Sequence, residues 1–295
     1  MRTGVALALL SAVLFAGLYY FVTLLDPLEG NALFAWRVLL AMPALALLLS
    51  HSRGWRPLRV TIARARRDKM LALMLLCTTA TIGVQTWLFV WAPVHGMALD
   101  VSLGYLLLPL MMVVVGRVFY KEQLSRAQQV AVGLAACGVL HELLVLGHLS
   151  WATAVVLFGY PPYFMLHRRL RLGSVTTLWI EMGLLSPIAL GILLFQDLSI
   201  WQMFAQRPAL LGLIPLLGIM SSVALIAYIS ASRRLPLGLF GILGYVEPVL
   251  LFWVAVLLLH ETPSLQAWFT YVPIWIAVAV MAVEGMVRWR RNAPA

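Results

Sequence analysis

Charge is scarce in this sequence. Asp, Glu, Lys and Arg make up 11% of its 295 residues, against roughly 25% in a soluble globular domain. A chain this poor in charge has too little polar material to cover a water-facing surface. Cysteine is nearly absent as well. Cys77 and Cys137 both fall inside apolar runs, which excludes a disulfide framework and a metal-ligand spacing. No Walker A segment occurs, so direct coupling to ATP has no candidate. No intramembrane G-x-S-x-G serine or paired aspartates occur either, and a hydrolase has no candidate nucleophile. His141-Glu142 and His260-Glu261 do not continue as H-E-x-x-H, because Val145 and Ser264 hold the fifth positions. An enzyme, a cofactor and a metal site are therefore not expected.

What is present is apolar: 63% of the residues are hydrophobic. Disordered chains are poor in these residues, and outer-membrane strands alternate apolar and polar positions in short runs. A helical span needs about 20 mostly apolar residues. Ten such runs fit, at about 3–25, 31–50, 70–92, 99–120, 125–146, 150–167, 174–195, 208–230, 236–259 and 264–287. The expected fold is an all-α polytopic membrane protein of ten transmembrane helices. The N-terminus resembles a signal peptide only superficially, since its apolar run continues to Leu25 and Leu14 suits a cleavage site poorly. The longest polar stretch, His51 to Lys69, is too short for a soluble domain.

The net charge of +10 is explained by its placement. With the N-terminus in the cytoplasm and the spans alternating, all but two of the 21 Lys and Arg residues fall on the cytoplasmic side. The exceptions are Arg207 outside and Arg37 within a span. This is the positive-inside pattern, with both termini cytoplasmic. The basic runs read as topology determinants touching anionic headgroups, and no nucleic-acid partner is expected. Trp151 and Trp201 outside, and Trp55 and Trp289 inside, read as interfacial belt residues.

The chain carries a weak internal repeat. Leu103-Gly104-Tyr105 precedes Pro109, and Leu243-Gly244-Tyr245 precedes Pro248. Thirteen residues after each proline stands a glutamate, Glu122 or Glu261, and three further on a serine, Ser125 or Ser264. Leu39–Pro43 echoes Leu184–Pro187 at an offset of 144, which aligns Arg37 with Glu181. The units are 1–148 and 149–295, five helices each. Five is odd, so the second enters the bilayer from the opposite side, an inverted-topology repeat as in many secondary transporters. Pro109 and Pro248 sit near the bilayer midplane, where each frees a backbone carbonyl. Such carbonyls are tolerated against protein or a wet cavity. Pro161-Pro162 lies at similar depth.

Ionisable groups inside the apolar mass cost at least a few kcal/mol each and point to function. Arg37 and Glu181 lie roughly 10 Å below opposite surfaces, about 10 Å apart in depth. They read either as two anchors of one polar axis or as a buried structural pair. Glu247, the deepest acid, is a candidate for proton coupling together with Glu181. Tyr245 stands about 200° round the helix from Glu247, so the two cannot share one cavity face. Gln85, Trp36, Trp91, Tyr105, Tyr160, Tyr163, Trp179 and Tyr228 join Tyr245 as solute-contacting candidates at cavity depth, though each could equally be core packing.

Ala35-Trp36-Arg37, Trp87–Ala92, Ser102-Leu103-Gly104-Tyr105 with Pro109, Glu122 with Ser125, and Trp179-Ile180-Glu181 together resemble the EamA-type proteins of the drug/metabolite transporter superfamily, closest to the RarD group. The resemblance runs collinearly along essentially the whole chain. It implies ten helices in two inverted EamA repeats, a bacterial inner-membrane location, and a central path for small metabolites or drugs. It marks Arg37, Tyr105, Pro109, Glu181, Tyr245 and Pro248. Two positions depart from the family pattern: Glu247 stands where a small residue is frequent, and Gln85 where Asn is usual. The function this implies is export of small organic solutes by alternating access, by a monomer or weak dimer. A non-transporting scaffold or ligand sensor, or a lipid-translocating protein of the same fold, remains the alternative.

Overall fold

The computed structural model describes residues 2–291, except 27, 29, 53, 93–94, 96, 196–203, 206 and 259–264. The expectations for Trp201, His260, Glu261 and Ser264, and for the Trp289 side chain, lie outside the described residues. No strand occurs among the described residues. The helices are α1 (Arg2–Thr23), α2 (Gly30–His51), α3 (Trp55–Ala65), α4 (Lys69–Trp91), α5 (Ala98–Tyr120), α6 (Arg126–Leu146), α7 (Trp151–Leu170), α8 (Ser174–Leu194), α9 (Leu210–Arg234), α10 (Leu237–Gly244), α11 (Val246–Leu257) and α12 (Leu265–Arg291).

Nine segments among the described residues are long and apolar enough to cross a membrane, α10 and α11 together forming one of them. The chain is a multi-pass membrane protein. α7 is equally long at 20 residues, but its two prolines, its tyrosines and its basic last turn make it less apolar. The expected spans agree with the helices to within four residues at each end, with two differences.

The first difference is α3, a short helix inside the stretch expected to be only polar. Its buried Leu58 packs with Leu49, Leu75 and Ile180, while Arg56, Arg59 and Arg64 face outward. Trp55 and Ile62 extend the apolar face. A strongly amphipathic basic helix of this kind lies in the membrane interface rather than across it. The second is the ninth span, which breaks at Gly244–Tyr245 instead of running from 236 to 259. Pro248 has no N–H to give the carbonyl four residues back, and that carbonyl belongs to Gly244.

Interactions near the helix ends sort the chain into two poles. At one, Gly4 of α1 lies against Leu235 beyond α9, Ser125 before α6 donates to Glu284 of α12 (2.6 Å), and α3 packs beneath α8. At the other, Gly30 of α2 meets the Val90 carbonyl of α4, Thr153 of α7 donates to the Asp100 carbonyl of α5 (2.7 Å), and Arg207 donates to the Asp26 carbonyl (2.5 Å). Local chemistry starts and stops the helices. Asp68 caps α4 through Met70 N and Leu71 N, and Ser125 forms a capping box with Gln128 at α6.

The second Leu-Gly-Tyr segment packs against the proline that follows the first. α10 crosses α5 so closely that a Cβ on Gly241 would sit 2.6 Å from the Pro109 carbonyl oxygen, while Gly244 lies against the Pro109 ring. Only glycine fits that crossing.

Candidate functional site

Seven side chains from six helices converge in the middle of the bundle. α2 brings Arg37, α4 Phe89, α5 Tyr105, α7 Tyr160, α9 Ser221 and Tyr228, and α11 Glu247. Arg37 is 7% exposed. Its Nε donates to Ser221 Oγ at 3.2 Å, and its guanidinium lies 5.5 Å from the centre of the Phe89 ring. A guanidinium has five N–H donors, and Ser221 Oγ is its only acceptor among the described residues. A cation over an aromatic face is worth about 0.5–2 kcal/mol, far less than full hydration, so Arg37 is charged and under-partnered.

Across from it the tyrosines form a wall. The Tyr105 and Tyr160 hydroxyls are 3.5 Å apart, and both lie within electrostatic reach of Arg37 and of Glu247. Tyr228 also feels Glu247 and packs edge-on to Tyr160 and Phe164. Glu247 has no hydrogen-bond partner among the described residues. Tyr105, Tyr228, Phe89 and Glu247 each keep part of their surface. A cation and a carboxylate thus neighbour the same aromatic wall, a combination suited to an amphipathic solute.

Glu181 sits elsewhere. It is fully buried in α8, where His167 Nε2 lies 2.8 Å from Oε1 and the Tyr163 hydroxyl donates to Oε2 at 3.2 Å. No ion pair joins it to Arg37 among the described residues. The two polar layers are linked only through neighbouring tyrosines, since Tyr163 lies within electrostatic reach of Tyr160 and Tyr228. His167 is itself 0% exposed in its side chain, and its Nδ1 has no partner among the described residues. His167 carries no signal in the sequence, and only the α7–α8 hairpin brings it to Glu181.

The other expected residues lie around the cluster rather than in it. Tyr245 is turned toward α5, its hydroxyl donating to the Leu106 carbonyl at 3.0 Å. That carbonyl is one residue beyond the Tyr105 carbonyl that Pro109 leaves free. Gln85 is buried in the α4–α7 seam, where Nε2 donates to the Val155 carbonyl (2.7 Å) and Oε1 has no partner among the described residues. Gly159 makes room for it, since a Cβ there would meet Gln85 Nε2. Trp36 is half-buried and packs against Phe204. Trp179 packs edge-on to Trp55 (5.9 Å) beneath α3, well away from the tyrosine wall. Trp55, expected as an interfacial belt residue, donates its ring N–H to Ser50 Oγ (2.9 Å). Ser221 and Phe89 gave no sequence signal as functional residues, being a lone hydroxyl and one aromatic among many.

Glu122, the repeat's post-helix acid, reaches across to α10. Its two oxygens accept from Leu237 N (2.7 Å) and Gly238 N (2.8 Å), and Oε1 lies 3.6 Å from Arg168 Nη1. α10 begins after Pro236 and has no side-chain cap of its own. A carboxylate from outside the helix fills that role and meets the positive end of the helix dipole.

Comparison with known proteins agrees with this architecture. The model of the EamA-like transporter family matches residues 2–141. The chain is 44% identical to the chloramphenicol-sensitive protein RarD of Pseudomonas aeruginosa, across 98% of this chain and 97% of that one. It is 38% identical to an uncharacterized transporter of Pasteurella multocida, across 99% of each, and 30% identical to the protein RarD of Escherichia coli, across 99% and 98%. A solved crystal structure superposes with a TM-score of 0.73 over 99% of this chain and all of the other, at 16% identity, which speaks to the fold alone. With such identity sustained from end to end, this chain belongs to the EamA-like transporter family and, within it, to the RarD group.

Proposed function

We propose that this protein is an inner-membrane exporter of small organic metabolites or drugs, working by alternating access. On this reading ten helices form two inverted five-helix units, 1–148 and 149–295, with both termini in the cytoplasm and a monomer or weak dimer as the working form. α7 is then the tenth crossing. The solute sits between the units, with an electron-rich group at the spare Arg37 donors, a cationic or hydroxyl group at Glu247, and an apolar body against Tyr105, Tyr160 and Tyr228. Glu247, lacking a protein partner, is the acid placed to exchange a proton with the solute. Glu181, already satisfied by His167 and Tyr163, holds α7 against α8. Tyr245, Pro109 and Pro248 shape the crossing of α5 and α10.

The observation that carries this reading is the composition of the central cluster. Arg37, Phe89 and Tyr105 come from the first unit, and Tyr160, Ser221, Tyr228 and Glu247 from the second. A site shared in this way is exposed to one face or the other as the units rock. The test is the extracellular metabolite profile of cells making wild-type protein against cells making Arg37→Ala or Glu247→Gln at equal membrane levels. Wild type enriches a small set of solutes in the medium, and both variants abolish the enrichment. A profile that is the same for wild type and Arg37→Ala would sink the export reading and leave a non-transporting scaffold.

A further inference from the structure

A second charged site lies at the arginine-rich pole, away from the central cluster. Arg168 and Arg171 at the end of α7, and Arg233 and Arg234 at the end of α9, line a cavity of about 410 Å³ floored by Leu235 and Pro236. That volume lies within the range of roughly 300–1,000 Å³ typical of ligand sites.

The four guanidiniums are not equivalent. Arg168 is spent on the protein: Nε and Nη2 donate to the Ser232 carbonyl (3.0 and 2.7 Å), Nη2 also to the Leu235 carbonyl, and Nη1 approaches Glu122. It also lies over the Tyr120 ring at 5.0 Å. Arg233 donates through Nη1 to the Leu172 carbonyl. These bonds use the orphan carbonyls at helix C-termini, where cations are favoured, and they fix the positions of two charges. Arg171 and Arg234 are exposed and have no acceptor among the described residues. Arg171 is also held at φ 50, in the left-handed region that a non-glycine residue adopts uncommonly. Four cations thus share one small cavity, and Glu122 is the single carboxylate paired with any of them among the described residues.

Like charges gathered this closely repel, and among the described residues the single carboxylate of Glu122 offsets only one of the four. A tetrahedral oxyanion would, because guanidinium forks match phosphate oxygens in pairs. We propose that Arg168, Arg171, Arg233 and Arg234 form a binding site for a phosphate group, with Arg168 and Arg233 as its fixed wall and Arg171 and Arg234 as the arms that close on it. Two sources carry that chemistry at a membrane surface: the headgroup of an anionic phospholipid, for which basic pockets between helices are suited, and a free phosphate ester or ion. Either would tie the end of α7 to the α9–α10 connection, which Arg168 and Glu122 already brace.

Thermal unfolding of the purified full chain in a non-ionic detergent tests this, since a ligand bound only by the folded state raises the melting temperature. The probes are short-chain phosphatidylglycerol, inorganic phosphate, and diacylglycerol as the phosphate-free lipid. We expect saturable stabilisation by phosphatidylglycerol, by phosphate, or by both. Whichever saturates at the lower concentration identifies the source. In Arg171→Gln/Arg234→Gln the half-saturating concentration rises roughly ten-fold or more, as expected for losing charge-assisted contacts. Arg64→Gln/Arg67→Gln, equally basic and exposed but outside the cavity, leaves it within about two-fold. Both variants unfold like wild type without ligand. Equal loss in both double variants, a diacylglycerol response matching phosphatidylglycerol, or no stabilisation by either phosphate probe would each overturn the proposal.

Discussion

Removing the Glu122 carboxylate tests whether an acid beyond the end of one helix holds another in place. In Glu122→Ala, Leu237 N and Gly238 N lose their acceptors at 2.7 and 2.8 Å. Hydrogen bonds to a charged group contribute about 1.5–3 kcal/mol each. The Glu122 side chain keeps 15% of its surface, so water partly replaces it and the lower end of that range applies, about 3 kcal/mol for the two. The Arg168 contact at 3.6 Å is longer and partly exposed, and adds at most about 1 kcal/mol. Glu122→Gln keeps one acceptor oxygen and turns an amide N–H toward the other donor, so it loses about half as much. The assay is denaturant unfolding in micelles followed by helical circular dichroism, with free energies from linear extrapolation. Arg126→Ala, an exposed side chain nearby, sets the baseline at within about 0.5 kcal/mol of wild type. The expected order of stability is wild type, then Gln, then Ala. An alanine variant as stable as Arg126→Ala, or a glutamine variant no better than alanine, refutes the idea that Glu122 caps α10.

Three further outcomes follow from the same contacts. His167→Ala leaves Glu181 buried with only Tyr163 and costs about 3–5 kcal/mol; in the same unfolding assay, Glu181→Gln added to it costs little more, giving a coupling energy of about 1–3 kcal/mol. Gly159→Ala drives Gln85 Nε2 off the Val155 carbonyl and costs about 2 kcal/mol, whereas Gln85→Ala in that background costs almost nothing further; additive losses would separate the two residues. In a background lacking Cys77 and Cys137, an impermeant thiol reagent labels Arg207→Cys in intact cells and Arg169→Cys only in inverted vesicles, and the reverse labelling would overturn the proposed topology.

The parts legible in the sequence are those where one residue type has one physical meaning in an apolar chain. Long apolar runs are helices because lipid leaves no other partner for the backbone, and the ends came out within a few residues. The Leu-Gly-Tyr and proline repeat was legible as a repeat, and its meaning became visible when Gly241 and Gly244 were found against Pro109. α3 was hidden by its own charge: arginines dominate the stretch, and only the spacing of Trp55, Leu58 and Ile62 betrays a buried face. The ninth span reads as continuous because its apolar run is unbroken, and the break falls at the Gly244 carbonyl, four residues before Pro248. His167, Phe89 and Ser221 could not be found by pattern. Their roles come from partners in other helices, and neither an aromatic nor a hydroxyl in an apolar run announces which helix it will face.

The buried charged residues show why burial alone does not identify a working group. Arg37 and Glu181 are matched by the repeat and are both nearly sealed, so pattern ranks them together. Contacts separate them. Glu181 has a histidine and a phenol on its two oxygens, and a solute there would have to displace bonds already made. Arg37 spends one of its five donors, and Glu247 accepts from no described residue. Buried polar groups are normally satisfied, so those left short ask for a partner from outside the chain. Tyr105 and Tyr160 lie within electrostatic reach of both groups. On the proposed reading, a bound solute that completes the hydrogen bonding of Arg37 and Glu247 at once stabilises the occupied state by contacts spanning the two proposed units. It would thereby link occupancy to how those units sit against each other, which is the coupling a carrier needs and a passive scaffold does not.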